Sequence, residues 1–125
     1  MNTRNAIVPL ILLPVLLGLV SCGGGGTYGT VCSAAASKLF QKCDQHSAAD
    51  QQLIYNAVQG MGGSISFAEI ATASEGAVES DCEQGLSELK PTITDAEAKE
   101  FVDSLNDLTS CQEVVTAIQQ ATNAL

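Results

Sequence analysis

Aromatic side chains and positive charge are both scarce in this sequence. Its 125 residues include no Trp, two Tyr and three Phe, and only five Lys and Arg stand against fourteen Asp and Glu. Binding to nucleic acid or to anionic lipid headgroups needs clustered positive charge, so neither is expected. The shortage of aromatic rings argues against a sugar-stacking glycosidase cleft, although paired carboxylates are plentiful.

Histidine is nearly absent as well. The single one, His46, follows Cys43 by three residues in the stretch CDQHSAAD. A thiolate and an imidazole could form a catalytic pair, but the sequence offers no third orienting residue and no oxyanion arrangement. Zinc would need more nitrogen or sulfur ligands than one His and oxidised cysteines supply. We therefore expect no enzyme activity, no catalytic residue, no metal and no cofactor.

One long apolar run is present, and it is too short to cross a bilayer. Residues 6–20 read AIVPLILLPVLLGLV, without a charge and with two prolines. At about 1.5 Å per residue a helix of this length covers roughly 22 Å, against roughly 30 Å of hydrocarbon. The run is typical of the apolar part of a secretion signal.

This run ends in Leu19-Val20-Ser21-Cys22, followed by four glycines. These residues resemble the lipobox of bacterial lipoproteins, in which a small residue and a cysteine follow the hydrophobic core. The resemblance covers the first fifth of the chain, and no family is indicated for the rest. It implies that residues 1–21 are a signal peptide, and that Cys22 carries a thioether-linked diacylglycerol and acyl chains such as palmitate.

The resemblance also implies a location. Each buried methylene contributes about 0.8 kcal/mol, so two or three acyl chains hold a protein on a membrane almost permanently. Gly23 is not Asp, which by lipoprotein sorting favours the outer membrane of a Gram-negative cell, facing the periplasm. We expect a lipidated Cys22 with a Gly-rich tether over residues 22–30, and one domain over residues 31–125. In the mature chain, four lysines against fourteen carboxylates give a net charge of −10, which favours solubility.

Four further cysteines, at positions 32, 43, 82 and 111, are expected to form two disulfides, because an even number in a small exported domain indicates cross-links. No CxxC is present, which argues against zinc-ribbon, thioredoxin-like and haem-attachment sites. Cys32 and Cys43 would lie about 16 Å apart along one helix, too far for a direct bond. Two connectivities remain, Cys32–Cys111 with Cys43–Cys82, or Cys32–Cys82 with Cys43–Cys111. We favour the first.

Apolar residues recur every three or four positions in five segments, and no alternation typical of strands is found. Ser66, Thr94 and Ser110 each precede a Glu by three residues, a pattern typical of helix starts. Gly76 is a candidate break within the third segment. The predicted fold is all-α, a small bundle of four to five amphipathic helices joined by two disulfides. The five segments run from Cys32 to Cys43, Leu53 to Met61, Phe67 to Leu89, Ala98 to Leu108 and Cys111 to Leu125.

An acidic face is the first candidate binding surface. Glu75, Glu79 and Glu83 are spaced by four residues in the third segment and share one helical face. Like charges at this spacing repel by a few tenths of a kcal/mol per pair, roughly, and a divalent cation or a basic partner would relieve the repulsion. No EF-hand spacing is present.

A polar-amide face is the second candidate. Gln51, Gln52, Tyr55 and Gln59 are predicted on the outward side of the second helix, and an uncharged Tyr and Gln surface suits protein recognition. We therefore expect a binding or structural role in the cell envelope through an envelope protein partner. The alternative is a helical module that senses a divalent cation or a small ligand, and an envelope enzyme is the third choice.

Overall fold

The computed structural model describes residues 26–125, so the predicted signal peptide, Cys22 and the glycines up to residue 25 lie outside the described residues. Within this range the chain is all-α, as predicted, with five α-helices and one 3-10 helix. None of the described helices is both long enough and apolar enough to span a bilayer. The α-helices are α1 (Gly26–Lys42), α2 (Ala48–Gly60), α3 (Glu75–Leu89), α4 (Asp95–Leu105) and α5 (Cys111–Asn123), and the 3-10 helix is Phe67–Thr72.

The first helix begins earlier than predicted. Residues 26–30 were expected to belong to the tether, but they form the first turn of α1. Tyr28 lies in this turn, and its hydroxyl donates a hydrogen bond of 2.6 Å to the carbonyl of Pro91. This contact ties the start of α1 to the segment between α3 and α4.

Side-chain caps set where the later helices begin. Thr94 and Glu97 form the predicted capping box of α4, with a bond of 2.9 Å from the Thr94 N–H to the Glu97 carboxylate and one of 3.1 Å in return. The Ser110 hydroxyl accepts from the Glu113 N–H at 3.1 Å and begins α5. Each box satisfies amide groups that the first turn of a helix leaves without partners.

The third predicted segment divides into two helices, but the division does not fall at Gly76. The 3-10 helix ends at Thr72, and α3 begins after Ser74, whose hydroxyl accepts from the Ala77 N–H at 3.1 Å. Gly76 lies in the first turn of α3. A capping serine decides the start here because its oxygen satisfies an otherwise unbonded amide, which a glycine cannot do.

Helix α1 is the centre of the bundle. It packs against α3, α4 and α5, while α2 packs against α5. The inward side of α1 is completely buried, and its two alanines allow close approach of the neighbouring helices. The buried residues of α1 are Cys32, Ala35, Ala36 and Leu39. Within the described range the buried residues form one core cluster that runs from Cys32 to Ile118.

Two disulfides join α1 to its neighbours. Cys32 pairs with Cys82 in α3, with 5.6 Å between the Cα atoms, and Cys43 pairs with Cys111 at the start of α5, with 4.7 Å. The connectivity favoured from the sequence is therefore wrong, and the alternative is found. The reason is the helix arrangement, because Cys111, the first residue of α5, lies beside Cys43 just after the C-terminal end of α1, whereas Cys32 in the N-terminal half of α1 lies beside α3.

The loop after α2 is held by α3 at two points. The Asp81 carboxylate accepts hydrogen bonds from the Ser64 N–H at 2.8 Å, the Ser64 hydroxyl at 3.0 Å and the Ile65 N–H at 3.1 Å. One turn further on, Gly85 lies directly against the backbone of Gly62, which has a positive φ of 82°. The absence of a side chain at both glycines allows this approach.

Candidate functional site

An apolar cleft opens between α4, α5 and the N-terminal half of α1. Its volume is about 560 Å³, which lies within the range of about 300–1,000 Å³ typical of small-molecule sites. Met61, Leu86 and Ile118 line it, and each is at most 2 % exposed, so the cleft reaches the core. Further apolar side chains that line it are Val31, Ile93, Phe101, Leu108 and Leu125.

Helix α4 forms one wall of the cleft. Glu100 and Phe101 lie three and four residues after Glu97, and Ser104 lies four and three residues after them, which places all four on one face of the helix. Glu97, the first of these residues, is also the glutamate of the capping box with Thr94 that begins the helix. Phe101 is half-buried, whereas the three polar residues are exposed at the mouth.

Helix α5 forms the opposite wall with small side chains. Ala117, Ala121 and Ala124 lie at spacings of four and three residues and all line the cleft. A methyl group leaves open space where a leucine or phenylalanine would fill it. The three alanines therefore leave space between this side of α5 and α4, which Ile118, Gln120 and Thr122 also border.

The mouth of the cleft is acidic. Glu97 uses one carboxylate oxygen for the Thr94 N–H, and Glu100 has no hydrogen-bond partner or ion pair among the described residues. Ser104 donates its hydroxyl to the Phe101 carbonyl at 2.6 Å. None of the described residues that line the cleft is Lys, Arg or His. The arrangement offers an apolar floor and negative charge at the entrance, which suits binding of a ligand.

The sulfur and imidazole of the candidate catalytic pair are not brought together for chemistry. Cys43 is bonded to Cys111, so its sulfur carries no thiol proton for a base to remove. His46 is exposed in the turn between α1 and α2, where its backbone N–H donates to the Asp44 carboxylate at 2.9 Å. The local role of this segment is to connect two helices.

The acidic face of α3 is partly buried. Glu75 is exposed, whereas Glu79 and Glu83 are half-buried. Burial, and after it the negative charge of Glu79, raise the pKa of Glu83 above its ordinary value. Across residues 26–125, no group of three or more His, Cys, Asp or Glu side chains is placed to hold a metal ion.

The polar-amide face of α2 is only partly free. The Gln51 side chain donates to the Gln45 carbonyl at 2.7 Å, so it braces the turn before α2. Gln52 is exposed and donates to Asn56 at 2.9 Å. Gln59 donates to the Tyr55 hydroxyl at 2.9 Å, and the Tyr55 and Phe67 rings form an edge-to-face pair with 5.7 Å between centroids.

Phe67 extends this face, and the sequence analysis did not include it. The ring is 42 % exposed, which is uncommon for a side chain of this size. The 3-10 helix places it beside α2, and this proximity could not be read from the sequence spacing. The exposed surface formed by Gln52, Tyr55, Gln59 and Phe67 is called the Tyr55 face below.

No protein family, no curated protein and no solved structure matches this chain. Function must therefore be argued from the residues themselves. The cleft is the feature that sequence reasoning missed. The alanine spacing in α5 and the glutamate spacing in α4 were readable signals, but only packing shows that no other side chain fills the space between them.

Proposed function

We propose that this chain is a bacterial envelope lipoprotein, held in the outer membrane by lipid on Cys22 and facing the periplasm, whose helical domain acts by binding a partner protein. Its two disulfides carry the proposal, because such bonds form and persist in oxidising compartments such as the periplasm. The lipobox-like residues Leu19 to Cys22 support the same address. Absence of a usable thiol beside His46 is consistent with a role in binding.

The lipid anchor is tested by Cys22→Ala. In a Gram-negative host grown with labelled palmitate, we expect the wild-type protein to carry label and to fractionate with the outer membrane. The variant should lose both, because the thioether has no sulfur to form on. Gly24→Ala, two residues away, is the matched control and should keep the label. A wild-type protein that never takes up palmitate contradicts the anchor.

The partner role is tested on the Tyr55 face. With p-benzoylphenylalanine in place of Gln52, irradiation of cells should give one discrete adduct with an envelope protein. The same substitution at Glu88, an exposed position on α3, should give none. The partner role fails at this surface if neither position yields an adduct, or if both positions yield the same set.

A second candidate function is a module that binds a small ligand, and the cleft favours it. Its mainly apolar lining, its smaller number of polar side chains and its volume of about 560 Å³ match the usual features of a small-molecule site. This function is compatible with the lipid anchor and with a partner at the Tyr55 face, since that surface is formed by other residues.

A further inference from the structure

We propose that the cleft between α4, α5 and α1 binds an amphiphile with an aliphatic tail and a positively charged head. The inference deepens the small-ligand function proposed above and rests on it. It adds the chemical class of the ligand, which follows from how the lining and the mouth of the cleft differ.

The buried residues at the base of the cleft favour an aliphatic tail on the ligand. Met61, Leu86 and Ile118 are core residues that also border the cleft. A ligand that enters the cleft therefore exchanges its contact with water for contact with the hydrophobic core. Ala117 and Ala121 of α5 and Ala124 just after it add only methyl groups to the lining. Gln120 and Thr122 also border the cleft, and the Thr122 hydroxyl already donates to the Gln119 carbonyl at 3.0 Å. Each methylene that is buried there strengthens binding about fourfold. A flexible aliphatic chain meets these conditions without leaving polar groups unsatisfied.

The negative charge at the mouth of the cleft favours a positively charged head group on the ligand. Glu97 and Glu100 lie one helical turn apart, and Glu100 has no partner among the described residues. Lys99 is adjacent in sequence, but its ammonium group is paired with Asp103 at 3.0 Å. Two carboxylates without a lining cation favour a cationic head and repel a carboxylate or sulfate head.

The charge of the whole domain acts in the same direction. The mature chain carries four lysines against fourteen carboxylates, a net charge of −10, and the negative field raises the local concentration of cations at its surface. A general attraction of cations to the protein surface is not a binding site. The experiment must therefore distinguish it from binding at Glu97 and Glu100.

The test compares two probes that share a tail and differ in the charge of the head, dodecylammonium and dodecanoate. Both are titrated below their micelle concentrations into a chain that begins at Gly23, exported to the periplasm by a leader without a lipobox. This chain contains every residue of the described core cluster and, without lipid, needs no detergent. Backbone amide NMR shifts report both affinity and location.

We expect saturable shifts in α4 and α5 with dodecylammonium, and binding of dodecanoate at least about tenfold weaker. Glu100→Gln should weaken dodecylammonium about two- to fivefold, the range of an exposed ion pair. Glu88→Gln removes the same charge from α3, away from the cleft, and should leave the affinity unchanged. Ala121→Phe should abolish binding by filling the cleft, and Ala121→Leu replaces it if the larger ring prevents folding.

The outcomes distinguish the two proposals. If dodecanoate binds in the cleft as tightly as dodecylammonium, the charged-head inference is wrong and the small-ligand function stands. If Glu88→Gln weakens binding as much as Glu100→Gln, the attraction is general and the inference fails likewise. If neither probe gives saturable shifts in α4 and α5, both the inference and the small-ligand function are wrong.

Discussion

Replacing Cys43 and Cys111 together by alanine should lower the free energy of unfolding by about 4 kcal/mol, because this disulfide closes a long loop in the unfolded chain. The two cysteines are separated by 68 positions in sequence, and they join the end of α1 to the start of α5. Domains of this size are commonly stable by only about 5–15 kcal/mol, so the loss is a large share of the total. Urea unfolding followed by circular dichroism measures it.

Two comparisons make this result specific. Alanine at both Cys32 and Cys82 opens a loop of similar length, since the sequence separation of this pair is 50, but it also removes sulfur from the fully buried core. We therefore expect that pair to be at least as damaging. Equal stability of the oxidised wild-type protein and the Cys43→Ala, Cys111→Ala variant contradicts the expected cross-link.

The connectivity itself can be read by mass spectrometry without reduction. Cleavage after Lys and Glu places the four cysteines in different peptides. Lys42 lies between the first two, Glu69 between the second and third, and Lys90 between the last two. We expect one linked peptide pair with Cys32 and Cys82 and another with Cys43 and Cys111. A linked peptide pair that contains Cys32 and Cys111 would show that the arrangement of α1, α3 and α5 described above is wrong.

The second large effect is expected for Gly85→Ala in α3. A Cβ atom at this position would lie 2.5 Å from the backbone C and O of Gly62 and 2.6 Å from the carbonyl oxygen of Met61. Backbone atoms cannot move aside as the end of a side chain can, so the loop would shift and take Met61 out of the core. We expect a loss of about 1–3 kcal/mol, the usual cost of overpacking, despite the better helix propensity of alanine.

Gly76→Ala is the matched control, since it makes the same chemical change in the same helix. A Cβ atom there meets nothing within 4 Å, and alanine should stabilise the helix by about 0.5–1 kcal/mol. The two variants should therefore shift the thermal midpoint in opposite directions. If Gly85→Ala melts at or above the wild-type temperature, the close approach of α3 to the loop is not as described.

The caps and helical faces were predictable because they depend on neighbours in sequence. Thr94 with Glu97 and Ser110 with Glu113 begin helices in the structure as the spacing predicts. Such pairs act within a single turn, so distant residues have little influence on them. The start at Ser74 does not follow this pattern, because Ala77 and not a glutamate stands three residues later and the cap consists of the serine hydroxyl alone.

Sequence alone determined the all-α class, the burial of the four cysteines on helical faces and the exclusion of a bond between Cys32 and Cys43, because helix periodicity and rise are local properties. The relative directions of the helices were decided only by the tertiary structure, and with them the choice of Cys82 for Cys32. The cleft also belongs to the tertiary structure. Whether a row of alanines is covered or left open depends on which distant side chains pack there, and no spacing along the chain specifies that.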